Sequence, residues 1–158
     1  MKLYLNLSKP TNTIIMTINI SNLELKASFQ PTLIELSKSK APLKVSWNAA
    51  KTIKSVGAAI DTFDAARQNI LESRCSKDSE GNPVTETQNV INEQGITVPS
   101  SVYVFPTPEI KAETESLLDA LAKTMVDVEI YPVKLDDFGS SEQITGLSVL
   151  ALREFITE

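Results

Sequence analysis

Residues 46–74, SWNAAKTIKSVGAAIDTFDAARQNILESR, decide the fold that the sequence predicts. Apolar side chains recur along this stretch at spacings of three and four residues, which is typical of an amphipathic helix. They are Ala49, Ile53, Val56, Ile60, Phe63 and Ile70. With Ser46 as the N-cap, the helix would contain roughly 28 residues and extend for about 42 Å, which is further than one simple core requires.

The segments before this helix follow two different patterns. In residues 13–26, apolar and polar side chains alternate, which predicts one or two strands or a short hairpin. Residues 31–38 are predicted to form a short helix with Pro31 in its first turn. Pro42 cannot continue that helix, so residues 43–45 are expected to be an extended connection.

Extended and helical segments also alternate after the long helix. Residues 77–83 form a polar turn cluster, and residues 84–95 are compatible with either a short helix or a loop. Residues 96–105 are predicted to be extended, with Pro99 marking an edge or a break. Thr107 as N-cap and Pro108 as first residue predict a second good helix, which continues to about residue 125.

The remaining residues complete the predicted fold. Residues 126–130 alternate as a strand, and a last helix is expected to begin at Thr145 and to carry Leu147, Leu150, Ala151 and Phe155 to the end of the chain. The fold class is therefore α+β, with one long amphipathic helix and two shorter helices packed on a small, mainly antiparallel sheet. We expect an N-terminal extension over residues 1–15, unless residues 3–5 add a strand, and a single domain over residues 16–158.

Composition excludes several classes of enzyme. The chain has no histidine and one cysteine, Cys75. Nucleophilic sites that pair Ser or Cys with His are therefore excluded, as are two-His zinc sites and intrachain disulfides. No apolar run approaches the roughly 18 residues of a membrane span. We expect a soluble, non-enzymatic protein that needs no cofactor and no metal.

The charges are distributed unevenly along the chain. Residues 1–55 contain eight lysines and two glutamates, whereas residues 56–158 contain seven basic and eighteen acidic residues. Such a dipolar molecule could meet an acidic partner through one face, or stack on copies of itself.

The best candidate for an interaction surface is a group of lysines around the single tryptophan. No acidic residue lies between Glu35 and Asp61. The lysines could contact phosphates while the tryptophan stacks on a base, or the group could bind a protein subunit. The third alternative is a solvated face with the tryptophan anchored in the core. The group comprises Lys38, Lys40, Lys44, Trp47, Lys51 and Lys54.

A second candidate surface is the acidic side of the predicted helix at residues 108–125. Its carboxylates are Glu109, Glu113, Glu115 and Asp119. Together with the strand at residues 126–130, these side chains could imitate a nucleic-acid backbone.

Six features lie in a fixed order over residues 42–157. They are PLKVS at 42–46, Phe63 with AAR at 65–67, the turn from Lys77-Asp78 to Gly81-Asn82, Leu117-Leu118 before VDVE at 126–129, LDD at 135–137, and the closing segment 150–156. In these features the chain resembles small proteins of unknown function encoded by tailed bacteriophages. Residues 1–16 lie outside the resemblance, and residues 88–106 depart from it. It implies a phage origin and no known chemistry.

Charge asymmetry, the long helix and this resemblance lead to one expected function. We expect an oligomerising virion or virion-assembly component that contacts other phage subunits or itself, in the host cytoplasm or the virion. The alternative is an accessory protein that binds and inhibits a host enzyme through acidic mimicry of nucleic acid. Neither nucleic acid nor a membrane is expected as a partner.

Overall fold

The structure, a computed structural model, describes residues 14–91, 95–139 and 151–157. The chain divides into two compact units. The first unit comprises Met1–Ala59 and Met125–Glu158, and the second comprises Ile60–Thr124. Helices and small, mainly antiparallel sheets confirm the predicted α+β class. The extension over residues 1–15 and the single domain over residues 16–158 stay predictions.

The first unit contains an antiparallel strand pair. Strand β1, Met16–Ser21, pairs with strand β4, Met125–Ile130, so that Met16 lies opposite Ile130. Alternate side chains of both strands are buried, and they are Ile18, Ile20, Val128 and Ile130. The period-two alternation therefore predicted both strands correctly.

A helical run follows β1 directly. It consists of α1, Asn22–Glu24, a π-helical turn, Leu25–Phe29, and α2, Gln30–Lys38. Of the alternatives for residues 13–26, a single strand agrees with β1, whereas a second strand or a hairpin is wrong. The Ser21 hydroxyl accepts a hydrogen bond from the Glu24 N–H at 3.2 Å and caps the first turn. The buried side chains then follow helical spacing: Leu25, Phe29, Leu33 and Leu36.

The long helix α3, Leu43–Arg74, contains 32 residues and begins in the first unit and ends in the second. The predictions of an extended connection at residues 43–45 and of Ser46 as N-cap are wrong. The Ser46 N–H donates to the Pro42 carbonyl at 3.1 Å, so Ser46 lies within the first turn. Val45 is buried in phase with Ala49, which favours the longer helix.

The end of the chain also belongs to the first unit. Strand β5, Val133–Lys134, precedes a 3-10 turn at Leu135–Phe138 and pairs in parallel with β6, Ile156–Thr157. The predicted helix start at Thr145, with Leu147 and Leu150, lies outside the described residues. The prediction that this helix carries Phe155 to the end is wrong, because the Phe155 carbonyl accepts from the Val133 N–H at 2.9 Å beside β5.

The second unit contains a hairpin that the sequence did not predict. Strand β2, Thr85–Ile91, pairs antiparallel with β3, Thr97–Tyr103. For residues 85–91, both alternatives given for residues 84–95, a helix or a loop, are therefore wrong. Nearly all β2 side chains are exposed, so the strand lacks the alternation of apolar residues that marks a half-buried strand.

Local signals correctly predicted the turn at residues 77–83 and the helix that begins at Pro108. At residues 77–83, the Asp78 Oδ1 accepts from the Glu80 and Asn82 N–H groups at 2.9 and 2.8 Å, and Gly81 takes φ +86°. The helix α4, Pro108–Lys123, begins after Thr107, whose hydroxyl accepts from the Ile110 N–H at 3.3 Å.

No helix among the described residues is long and apolar enough to cross a bilayer.

Candidate interaction surfaces

The structure brings four of the six residues of the predicted basic surface onto one side of α3. Lys38 ends α2 and Lys40 lies in the connection that follows it. The other four are spaced by three, four and three residues, which places them on one face of a helix. They are Lys44, Trp47, Lys51 and Lys54.

Trp47 lies on the surface, with 60% of its area exposed. The alternative in which this tryptophan anchors the core is therefore wrong. Because α3 begins before Ser46, the positions that face the core are taken by Val45, Ala49 and Thr52, all fully buried. Trp47 lies between the first two of these and therefore faces outward.

Trp47 borders a cavity of about 360 Å³ in the first unit, which we call the Trp47 groove. Its apolar wall comes from α3, from the start of β1 and from the segment between β4 and β5. The residues that line it are Ile14, Met16, Lys44, Trp47, Asn48, Lys51, Pro132, Lys134, Asp137 and Thr157.

Three contacts attach the segment after β4 to α3 and thereby form one side of the groove. The Tyr131 N–H donates to the Thr52 hydroxyl oxygen at 3.0 Å, and the Asn48 side-chain amide donates to the Pro132 carbonyl at 3.1 Å. The Lys51 Nζ lies 5.0 Å from the centroid of the Tyr131 ring and 5.5 Å from that of Trp47. Lys51 therefore makes cation–π contacts with both rings, which restrains its side chain.

The groove is positively charged on balance. Lys44 forms a salt bridge of 2.7 Å with Asp137, which also accepts from the Lys134 N–H at 2.9 Å. The hydrogen bond from Lys44 is the main cause that lowers the pKa of Asp137. Three lysines and one carboxylate line the groove, and among the described residues Lys51 and Lys134 take part in no salt bridge, although the charge of Lys134 also contributes to the lowered pKa of Asp137.

Replacement of Lys44 by methionine is expected to raise the pKa of Asp137 towards its ordinary value of about 3.9. Because folding lowers this pKa, the Asp137 carboxylate contributes stability above the unfolded-state pKa and loses that contribution as the pH falls through the folded-state value. An NMR titration of the Asp137 carboxyl carbon measures the change. Lys54→Met removes a charge from the same helix without a contact to Asp137 and should leave the pKa in place; an equal rise in both variants would contradict the assignment to Lys44.

The predicted acidic surface on α4 consists of two separate pairs. All four carboxylates are exposed, with Glu109 and Glu113 one turn apart on one side and Glu115 and Asp119 one turn apart on another. Glu113 pairs with Arg74 at 3.1 Å and Asp119 pairs with Lys123 at 2.6 Å. Each pair therefore keeps one carboxylate that has no salt bridge among the described residues.

A second cavity, of about 920 Å³, lies within the second unit between α3, the hairpin and α4. The Gln68 side-chain amide donates to the Tyr103 hydroxyl oxygen at 2.5 Å in its wall. Charges of both signs line the cavity, among them Arg67, Glu86 and Glu115. Because the lining comes from three distant segments, no spacing in the sequence points to this cavity.

The sequence also missed most of the Trp47 groove. Ile14, Met16, Pro132 and Lys134 carry no local signal that would join them to α3.

Comparisons of the chain with family models, curated proteins and solved structures give no match. The resemblance to small phage proteins therefore stays a prediction, and the surfaces above are the basis for a functional proposal.

Proposed function

We propose that this protein is a non-enzymatic structural subunit that associates with protein partners, itself included, through the Trp47 groove. The observation that carries the proposal is an exposed tryptophan beside Ile14 and Met16, which are exposed as well. A patch of large apolar side chains rimmed by polar residues is typical of a protein interaction site. Tryptophan is also among the residues that contribute most to binding energy at such sites.

The charges of the groove favour a protein partner over nucleic acid. Lys44 is already paired with Asp137, and that carboxylate would lie near any bound phosphate. Lys51 contacts the Trp47 ring, which competes with a base for that ring. The chain as a whole carries a net charge of −5, which opposes association with a polyanion.

The chemistry of the titratable groups is consistent with a role other than catalysis. The chain has no histidine, and Cys75 is buried. The pKa values of Asp78, Glu109 and Asp137 are all lowered, chiefly by hydrogen bonds to the carboxylates. A carboxyl group that acts as a general acid near neutral pH needs the opposite shift.

The predicted virion role is part of this proposal and draws on the resemblance to phage proteins. The inhibitor alternative has less support, because mimicry of nucleic acid requires a row of uncompensated charges. On α4, Glu113 and Asp119 are each paired with a cation. We therefore propose association between subunits and do not extend the proposal to inhibition of a host enzyme.

Light scattering over a range of concentrations should show that the protein forms a defined oligomer. Trp47→Ala is expected to weaken association by about 30-fold, since loss of a central interface tryptophan typically costs about 2 kcal/mol.

Trp47 is the only tryptophan in the chain, so its emission should shift to the blue as the oligomer forms. Added salt should weaken the association if the lysines take part.

Leu43→Ala provides a matched control for this experiment. Leu43 begins the same helix and is 83% exposed, but it does not line the groove. The control should associate as the unchanged protein does. A monomer at every concentration and salt level, or an unchanged mass for Trp47→Ala, would reject the proposed function.

A further inference from the structure

The strand β2 in the hairpin of the second unit is exposed on both of its faces. Six of its seven side chains are exposed, and Val90 is half-buried. In the first unit, by contrast, β1 and β4 bury alternate side chains. A two-stranded hairpin alone is marginally stable in water, and a third strand or a well-packed face is needed to stabilise it. A further strand beside β2 would therefore stabilise the hairpin.

The register of the hairpin shows which backbone groups of β2 point away from β3. In an antiparallel pair, residues that exchange two hydrogen bonds alternate with residues that exchange none. The Val104 N–H donates to the Val84 carbonyl at 3.0 Å, and these two residues continue the register of the hairpin. The even-numbered residues therefore bond across the hairpin. Pro99, which has no N–H, agrees with this assignment, since it lies at a non-bonded position opposite Asn89.

The odd-numbered residues of β2 direct their N–H and carbonyl groups outward, away from β3. Among the described residues, none of these groups has a hydrogen-bond partner. The strand thus has an open edge along its whole length. The residues of this edge are Thr85, Thr87, Asn89 and Ile91.

The outer edges of the two strands differ in how well they can pair with another strand. Proline and charged side chains protect edge strands from such pairing. On β3, Pro99 removes one outward donor. The strand β2 has no proline and one charged side chain, Glu86. Its sequence, TETQNVI, is also rich in the β-branched residues that favour strands. The edge of β2 is therefore the better one for a further strand.

We propose that the outer edge of β2 pairs antiparallel with the same edge of a second copy of this chain. The two hairpins would then form one four-stranded sheet. The inference goes beyond the proposed function, because it uses a surface of the second unit and not the Trp47 groove. The contact is isologous, so that one two-fold axis closes the open edge of both subunits at once.

A two-fold axis at Gln88 makes full use of the edge. It places Thr87 opposite Asn89 of the second copy, and Thr85 opposite Ile91 of the second copy. These are four bonded pairs, and since each exchanges two hydrogen bonds, the contact has about eight. Ile91, now 74% exposed, would lie beside a threonine and lose apolar area to the contact.

The charges of the strand are compatible with a second copy as the occupant. In this register Glu86 lies opposite Val90 of the second copy. The two Glu86 side chains are therefore four residues apart along the strand, or about 13 Å at 3.3 Å per residue. This separation exceeds the Debye length of about 8 Å at physiological ionic strength, so their repulsion is largely screened.

Amide hydrogen exchange at single residues, measured by NMR, tests this contact. Trp47→Ala removes the groove contact and should leave a dimer that is paired through β2. In this variant, the outward Thr87 and Asn89 N–H groups should exchange slowly at high concentration and fast on dilution. The Ser101 N–H is the internal control, because it points outward from β3 directly opposite Thr87 and should exchange fast at every concentration.

Two proline substitutions form a matched pair for a second measurement. Thr87 and Ser101 lie opposite each other, and neither uses its N–H within the hairpin. Proline at either position therefore removes an outward donor and keeps the bonds between β2 and β3, as Pro99 already does. In Trp47→Ala, the further change Thr87→Pro should halve the mass found by light scattering, whereas Ser101→Pro should leave the dimer intact.

The outcomes separate this inference from the proposed function. If Trp47→Ala lowers the mass but its Thr87 N–H exchanges as fast as its Ser101 N–H, the β2 contact is rejected and the proposed function stands. If Trp47→Ala leaves the mass unchanged and Thr87→Pro makes the protein monomeric, the proposed function fails and the β2 contact stands. Equal masses for the two folded proline variants would also reject the contact.

Discussion

Phe29→Ala is expected to lower the free energy of unfolding by about 3–5 kcal/mol, the usual cost of truncating a buried phenylalanine. Phe29 is 1% exposed and ends the π-helical turn between α1 and α2. Leu25 and Leu33, one turn away on either side, are fully buried as well. A continuous helical segment restrains the backbone around the site, so we expect the cavity to be only partly filled by relaxation.

Urea unfolding followed by Trp47 emission measures this effect, because the tryptophan lies in the same unit as Phe29. The slope of the free energy against urea concentration should not change, so the loss should appear as a lower midpoint. Leu43→Ala, at an exposed position of the same unit, should change stability by no more than about 0.5 kcal/mol. Equal losses in the two variants would show that Phe29 is not part of a closely packed core.

Thr52→Val is expected to lower the free energy of unfolding by about 1–3 kcal/mol, although the two side chains have nearly the same shape. Thr52 is fully buried, and its hydroxyl oxygen accepts the hydrogen bond from the Tyr131 N–H at 3.0 Å. Valine removes the acceptor and leaves that N–H without its partner. The cost therefore comes from an unsatisfied donor and not from lost apolar packing.

Thr52→Ser provides the opposite change, since serine keeps the hydroxyl and loses the methyl group. If the hydrogen bond carries the effect, amide exchange of the Tyr131 N–H should be faster in Thr52→Val and close to the original rate in Thr52→Ser. The same bond holds one side of the Trp47 groove, so Thr52→Val should also weaken association between subunits. Identical Tyr131 exchange in both variants would exclude this role for Thr52.

For elements with strong local signals, the sequence predicted the type of element correctly and placed its first and last residues close to the observed ones. α4 has Thr107 as N-cap and Pro108 in its first turn, and both act through neighbouring backbone groups. The alternation in β4 predicts a strand for the same reason, since the period of two is a property of the extended backbone. Such signals act within a few residues and do not depend on the rest of the fold.

Errors arose where distant contacts outweighed the local pattern. α2 ends at Lys38, before Pro42, and Pro42 does not prevent the next helix from beginning at Leu43, because Val45 continues the buried face of α3. The hairpin strand β2 has too few buried side chains to show an alternating pattern, and its backbone pairs with β3. The chain end pairs with β5, where periodicity predicted a helix.

The class of the fold, the long helix and the acidic helix α4 follow from patterns in the sequence, because the spacing of apolar residues and the capping residues are local properties. It also grouped Lys44, Trp47 and Lys51 by their spacing on a helix. The exposure of Trp47, in contrast, follows from tertiary packing, since it depends on which face of α3 other segments cover. The groove likewise exists only because β1 pairs with β4 across more than a hundred residues, which brings Met16 and Pro132 to the same side of α3.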